Sequence, residues 1–280
     1  MLGHDVREDL AMACRVLAAH RLIDLWGHLS LRIPRSEHIL MTPRFSRDCL
    51  PRGITARDML VVALDGTIVD GTGALPRQGL ADLALYRRDP AAGACISFAP
   101  RFAMAAAIAG FDLLPMTHME AFIAYATQVW RSAELADTPE TAGELAELLA
   151  TSVAVQQPGV ASWVRGETLL HALLAAYNLE YLGQQNSVAA SMEVTALCKE
   201  EDSSKMWRQF AGWDHYVDYF HSLDPGPLPP LPGGLRSSPR ATSARASSKP
   251  PASPVRPCGN ATRWSRSWSM SATGCRRTTA

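Results

Sequence analysis

The sequence predicts an α/β domain. Stretches with apolar residues at helical spacing alternate with short runs that alternate polar and apolar residues or are wholly apolar, and cap or turn residues stand at the junctions. An apolar fraction of 47% over 280 residues is enough for one sizeable core.

From Arg7 to about Leu25, Leu10, Ala13, Cys14, Leu17 and Ala18 recur at helical spacing, and Asp5 is available as the cap. His28-Leu-Ser-Leu-Arg-Ile alternates, a turn follows around Pro34 to Glu37, and His38-Ile-Leu-Met-Thr resumes, which predicts a hairpin. Thr55 to Asp58 reads as a capped turn into Met59-Leu-Val-Val-Ala-Leu, and Asp65-Gly66 turns that strand into Thr67-Ile-Val-Asp. Gln78 to Arg88 reads as a helix, Gly93 to Phe98 as a buried strand, and Arg101 to Ala109 as a helix closed by Gly110. A strand is expected near Ala121 to Tyr125. A capped helix from Thr138 to Leu149, strands at 152–155 and 160–164, a long helix from Glu167 to about Cys198 and a last helix around 203–220 complete the domain.

The domain is therefore expected to occupy residues 1–224, followed by a basic tail at 225–280. No acidic residue follows Asp224, while nine Lys and Arg do, so the zero formal charge of the whole chain hides an acidic front part. That balance argues against nucleic acid as a partner except through the tail. Rich in Pro, Arg and Ser, the tail has too few apolar residues to offset its ordering entropy and is expected to be disordered. Either it is a native basic extension or it comes from GC-rich codons read out of frame. Six cysteines at unrelated spacings suggest reduced thiols rather than a disulfide framework. Neither a signal peptide nor a membrane span is apparent, so a cytoplasmic protein is expected.

Several motifs in this order resemble the class II aldolase/adducin family: Gly27-His28-Leu29-Ser30-Leu31-Arg32, Met41-Thr42-Pro43, and Asp58 through Asp65-Gly66. Leu85-Tyr86-Arg87-Arg88 and Val164-Arg165-Gly166 extend the likeness to about residues 7–200. The resemblance implies a three-layer α/β/α sandwich around a mainly antiparallel sheet, usually assembled as a cyclic homotetramer. In catalytic members three histidines hold a divalent metal, usually zinc, and a glutamate moves the proton. Here the corresponding positions are Ser97 and Ala99, Pro158, and Gln78. None of the four can replace an imidazole or accept a proton at neutral pH, so no metal or other cofactor is expected.

Other residues could still carry chemistry. The resemblance places His28 and Ser30 at the turn that approaches the substrate's anionic group, unless they only cap a hairpin. It also places Thr42, Arg44 and Arg47 in the loop that cradles phosphate or carboxylate, where an arginine fork suits a carboxylate. Arg101, just after the degenerate strand, could supply positive charge beside a carbonyl, or simply start a surface helix. In an extended segment His118 and Glu120 would share a face as an acid/base pair. Tyr125 falls where the family often sends an aromatic hydroxyl toward a neighbouring subunit.

Two readings follow. One is a metal-independent aldolase-like lyase that cleaves, decarboxylates or enolises a small keto or carboxylic acid. It would use His28, His118, Glu120 and Arg101 for catalysis, and resemblance to aldolase-like proteins of antibiotic pathways suggests a specialised-metabolism role. The other is a catalytically inactive, adducin-like oligomerisation or binding module. The two differ in whether a compact pocket with perturbed titratable groups persists beside Ser97 and Pro158; filling of that space by Phe98, Trp163 or the terminal aromatics would sink the enzyme reading.

Overall fold

A computed structural model of the chain describes residues 5–192 and 214–227. Two compact units divide it, Met1–Leu231 and Pro232–Ala280; the second, and the predicted tail from 228 onward, lie outside the described residues. So do residues 193–213, where the end of the predicted long helix and the start of the last one fall.

The predicted alternation is present almost throughout. Helix α1 (Val6–Ala19) starts at Asp5, whose side chain accepts from the Arg7 amide. Strands β1 (His28–Arg32) and β2 (Ile39–Met41) form the first hairpin, with Ser30 opposite Met41. Thr55 and Asp58 make a reciprocal capping box ahead of β3 (Leu60–Val62), which turns into β4 (Ile68–Asp70). Helix α2 (Gly79–Arg88) has Gln78 at its N-cap, and β5 (Ala94–Phe98) is buried throughout. Helix α3 (Arg101–Ala109) ends at Gly110, whose φ of 76° is the left-handed conformation that glycine adopts without strain.

The segment expected as a strand at 121–125 is instead helix α4 (His118–Tyr125), and the strand follows it as β6 (Thr127–Val129). Ala121, Phe122, Ile123 and Ala124 form a short apolar run, which periodicity alone does not assign to strand or helix; packing against the long helix decides it. The described chain continues through α5 (Pro139–Thr151, capped by Thr138), β7 (Ala154–Gln157), β8 (Ala161–Gly166), α6 (Leu169–Ala190) and α7 (Asp214–Leu223).

The strands form one eight-stranded sheet in the order β4-β3-β2-β1-β5-β8-β7-β6, antiparallel at every pairing except β6 with β7. Register puts His28 opposite Ser97, and Ser97 opposite Trp163. Because side chains alternate between faces, His28, Ser30, Cys95, Ser97 and Trp163 share the face covered by α2 and α5. Leu29, Ile96, Phe98 and Val164 point to the other face, packed by α1, α3, α4, α6 and α7. This is the mixed, mainly antiparallel three-layer α/β/α arrangement expected.

Candidate functional site

On the α2 side of the sheet a row of polar residues is wholly buried. The His28 imidazole Nε2 lies 3.2 Å from Asp82 Oδ2, an ion-pair distance without hydrogen-bond alignment. The Ser30 hydroxyl donates to the same Asp82 oxygen at 2.6 Å and lies 3.0 Å from the Tyr86 hydroxyl. Burial pushes the Tyr86 hydroxyl and the Cys95 thiol well above their usual ranges, and the Asp82 charge adds to both. Tyr86 and Cys95 therefore stay neutral.

One residue before His28 the chain opens to solvent. A cleft of about 380 Å³ is lined by Leu25, Trp26, Gly27, Arg44, Phe45, Pro76 and Arg77. Arg44 Nε donates to the Leu75 carbonyl at 3.0 Å, and Arg77 Nε donates to Asp137 at 2.9 Å, so each guanidinium is oriented while its terminal nitrogens stay available to a ligand. Gly27 is required at the cleft floor. A Cβ there would come within 2.7 Å of the Ser97 carbonyl oxygen and 2.4 Å of Ile23 Cγ1. A larger depression of about 430 Å³ lies against α5 between Trp130, Glu144, Glu147, Leu148 and Thr151; it is shallow, and Glu147 already pairs with Arg88.

The site residues expected from sequence separate into groups. Arg44 lines the cleft, whereas His28, next to Gly27 in the chain, is fully buried and not among the lining residues. Arg47 is exposed in the same loop but not among the lining residues. Ser30 and Thr42, expected to touch substrate, are instead buried and bonded internally, Thr42 Oγ1 accepting from the Leu29 amide. Arg101 is exposed at the first turn of α3, where Glu180 accepts from the Phe102 amide. Because His118 and Glu120 lie in a helix, positions two apart point about 200° apart, and the shared face expected of an extended segment is not formed. The His118 side chain lies outside the described residues; Glu120 is buried, and burial raises its carboxyl. Tyr125, at the end of α4, is half exposed.

The four positions matching the family's metal and base residues do not fit a metal. Gln78 Oε1 accepts from the Ala136 amide, and the adjoining Gln157 donates to the Ser132 and Glu134 carbonyls. Ser97 is buried with Trp163 beside it, and Ala99 and Pro158 offer no side-chain ligand atom. Among the described residues no three His, Cys, Asp or Glu side chains gather as a metal site would need. Trp163, the partner of Ser97 across the β5–β8 pairing, is fully buried on the same face. Phe98 and Phe220 pack in the opposite layer. The Trp163 Nε1, the Ser97 hydroxyl and both His28 nitrogens have no hydrogen-bond partner among the described residues.

Sequence reasoning missed Arg77 and Trp26. Arg77 had a signal in its place just before the Gln78 helix start, but only the fold brings it across from Arg44. The family model for the class II aldolase and adducin N-terminal domain matches residues 8–186. The chain belongs to that family. No functionally curated protein is similar enough in sequence to match this family member. Among solved structures it resembles L-fuculose 1-phosphate aldolase from Glaciozyma antarctica PI12 at 18% identity, covering 78% of this chain and 88% of that one with a TM-score of 0.66. An aldolase II superfamily protein from Pseudomonas syringae matches at 21% identity over 78% and 94% of the two chains, TM-score 0.65. YgbL from Escherichia coli matches at 21% over 72% and 97%, TM-score 0.61. At these identities the likeness establishes the fold of this class II aldolase/adducin domain, not its reaction.

Proposed function

We propose that this family member is a metal-independent, aldolase-like lyase that acts on a small keto or carboxylic acid. The observation that carries the reading is the cleft itself: two oriented guanidinium groups, Arg44 and Arg77, line it together with Gly27, whose chain neighbour His28 is buried beside Asp82. Guanidinium forks bind carboxylate in a bidentate manner and stabilise an enolate oxygen, the charge a metal stabilises in related enzymes. In a retro-aldol step His28, once its buried imidazole is opened to the cleft, takes the proton of the substrate's β-hydroxyl and the Cα–Cβ bond breaks. The electron pair is left on the carbon beside the carbonyl as an enolate, and the same proton returns there. Asp82, 3.2 Å from the imidazole, balances the charge it takes on with the proton, while Ser30 fixes Asp82. By family likeness the chain is proposed to work as a homotetramer, with a small anionic molecule as its ligand.

A second reading, the catalytically inactive binding or oligomerisation module, is favoured by the burial of Ser97 beside Trp163 and by the internal bonds of Gln78 and Gln157. Chelator-treated full-length protein incubated with β-hydroxy keto acids, with products followed by NMR, separates the two. Turnover that survives the chelator and falls at least a hundredfold in His28→Gln supports the lyase. Unchanged substrate together with anion binding that Arg44→Ala weakens supports the module, and turnover restored only by added metal overturns metal independence.

A further inference from the structure

The walls of the cleft point to a particular kind of acid, provided the cleft is the substrate site as proposed above. Apart from Arg44 and Arg77, its lining is Leu25, Trp26, Gly27, Phe45 and Pro76, with no hydroxyl, amide, imidazole or carboxylate side chain among them. A polyhydroxylated substrate needs such partners for each hydroxyl it buries, whereas an apolar body needs only contact surface. Trp26 is 75% exposed and Leu25 is 50% exposed, so two large apolar side chains stand at the mouth of a cationic cleft.

Their display is built into the backbone. The Trp26 amide donates to the Asp24 side chain at 2.9 Å, which fixes the turn. The next residue, Gly27, lies too close to the Ser97 carbonyl and Ile23 to carry a side chain. The Trp26 backbone is therefore pinned, so that only the side-chain rotation of the indole is left to be ordered when a ligand stacks on it. The cleft volume of about 380 Å³ lies at the lower end of the range of small-molecule sites, roughly 300–1,000 Å³.

We propose that this cleft selects a carboxylate bearing an arene-sized apolar body over a sugar phosphate, with the guanidinium groups of Arg44 and Arg77 on the carboxylate and the Trp26 indole and Leu25 against the body. The test is calorimetric binding of 3-phenylpropionate, propionate and glycerol 3-phosphate to the full-length protein and to its Trp26→Ala and Arg44→Ala variants. Trp26 is exposed, so unchanged thermal unfolding of the Trp26 variant serves as the folding control. The wild type should bind 3-phenylpropionate at least tenfold more tightly than propionate, a difference of about 1.4 kcal/mol. Trp26→Ala should remove most of that ratio and leave propionate within twofold, while Arg44→Ala weakens both acids alike. Equal binding of the two acids, a ratio untouched by Trp26→Ala, or tighter binding of glycerol 3-phosphate overturns the selectivity and leaves the anion site standing. Failure of all three probes to bind overturns the anion site itself and the selectivity with it.

Discussion

Ser30 illustrates how one side chain changes meaning when the fold is known. In sequence it belongs to a substrate-side motif; in the structure its hydroxyl joins Asp82 to Tyr86 with no solvent access. Its role is to hold the carboxylate that faces His28. Removing it strips a hydrogen bond from a buried charged group, so Ser30→Ala should destabilise the chain by about 1–3 kcal/mol in urea unfolding. It should also reduce turnover without altering propionate affinity, whereas a parallel loss of affinity would put Ser30 at the ligand. Arg32, two residues on, is likewise structural: it donates to the Tyr86 carbonyl at 2.8 Å and stacks over the Tyr86 ring, securing the C-terminal end of α2. Sequence could name these residue types but not their direction, because a two-residue period places Ser30 and Arg32 on one face without saying what covers it.

At the scale of elements, α7 is tied to α1 by a buried ion pair far apart in sequence. Arg15 donates to both Asp224 oxygens, at 2.8 and 2.5 Å, and also reaches Glu8 and the Ile54 carbonyl. Next to it Phe220 packs on Tyr177, which in turn meets the His20 ring edge-on. Burial alone would raise the Asp224 carboxyl, but the Arg15 hydrogen bond and charge outweigh it and hold the carboxyl below its usual value. A carboxyl lowered in the folded state stabilises it fully above the unfolded value, near pH 4, and that contribution is lost as pH falls through the lower folded value. Asp224→Asn should therefore cost on the order of 2 kcal/mol at neutral pH, with Glu8 partly compensating, and should flatten the loss of stability below about pH 4. Acid unfolding curves of the two proteins that run parallel would show that the pair contributes nothing. The caps at Asp5, Thr55 and Thr138 were legible because their chemistry is local, whereas this pair spans 209 residues and no spacing announces it.

Over the whole molecule, no helix among the described residues is long and apolar enough to cross a membrane. Several large apolar side chains of α3, α6 and the segments that follow each of them nonetheless remain exposed, among them Ile108, Phe111, Val188 and Met192. If the chain assembles as its family likeness suggests, these residues become covered. Phe111→Asp should then lower the sedimentation mass of the full-length protein toward that of the monomer with little change in monomer unfolding; an unchanged mass would place the interface elsewhere. The sequence by itself determined the alternation of elements, their caps and turns, the family, and the absence of imidazoles at the metal positions, because each is written in local spacing and residue chemistry. Only the tertiary structure decided that 118–125 is a helix, that Trp163 stands beside Ser97, and that Arg77 and Trp26 complete the cleft begun by Arg44. Those outcomes depend on which segments the sheet order and the helix layers bring together, and a short apolar run or a lone arginine carries no record of its distant neighbours.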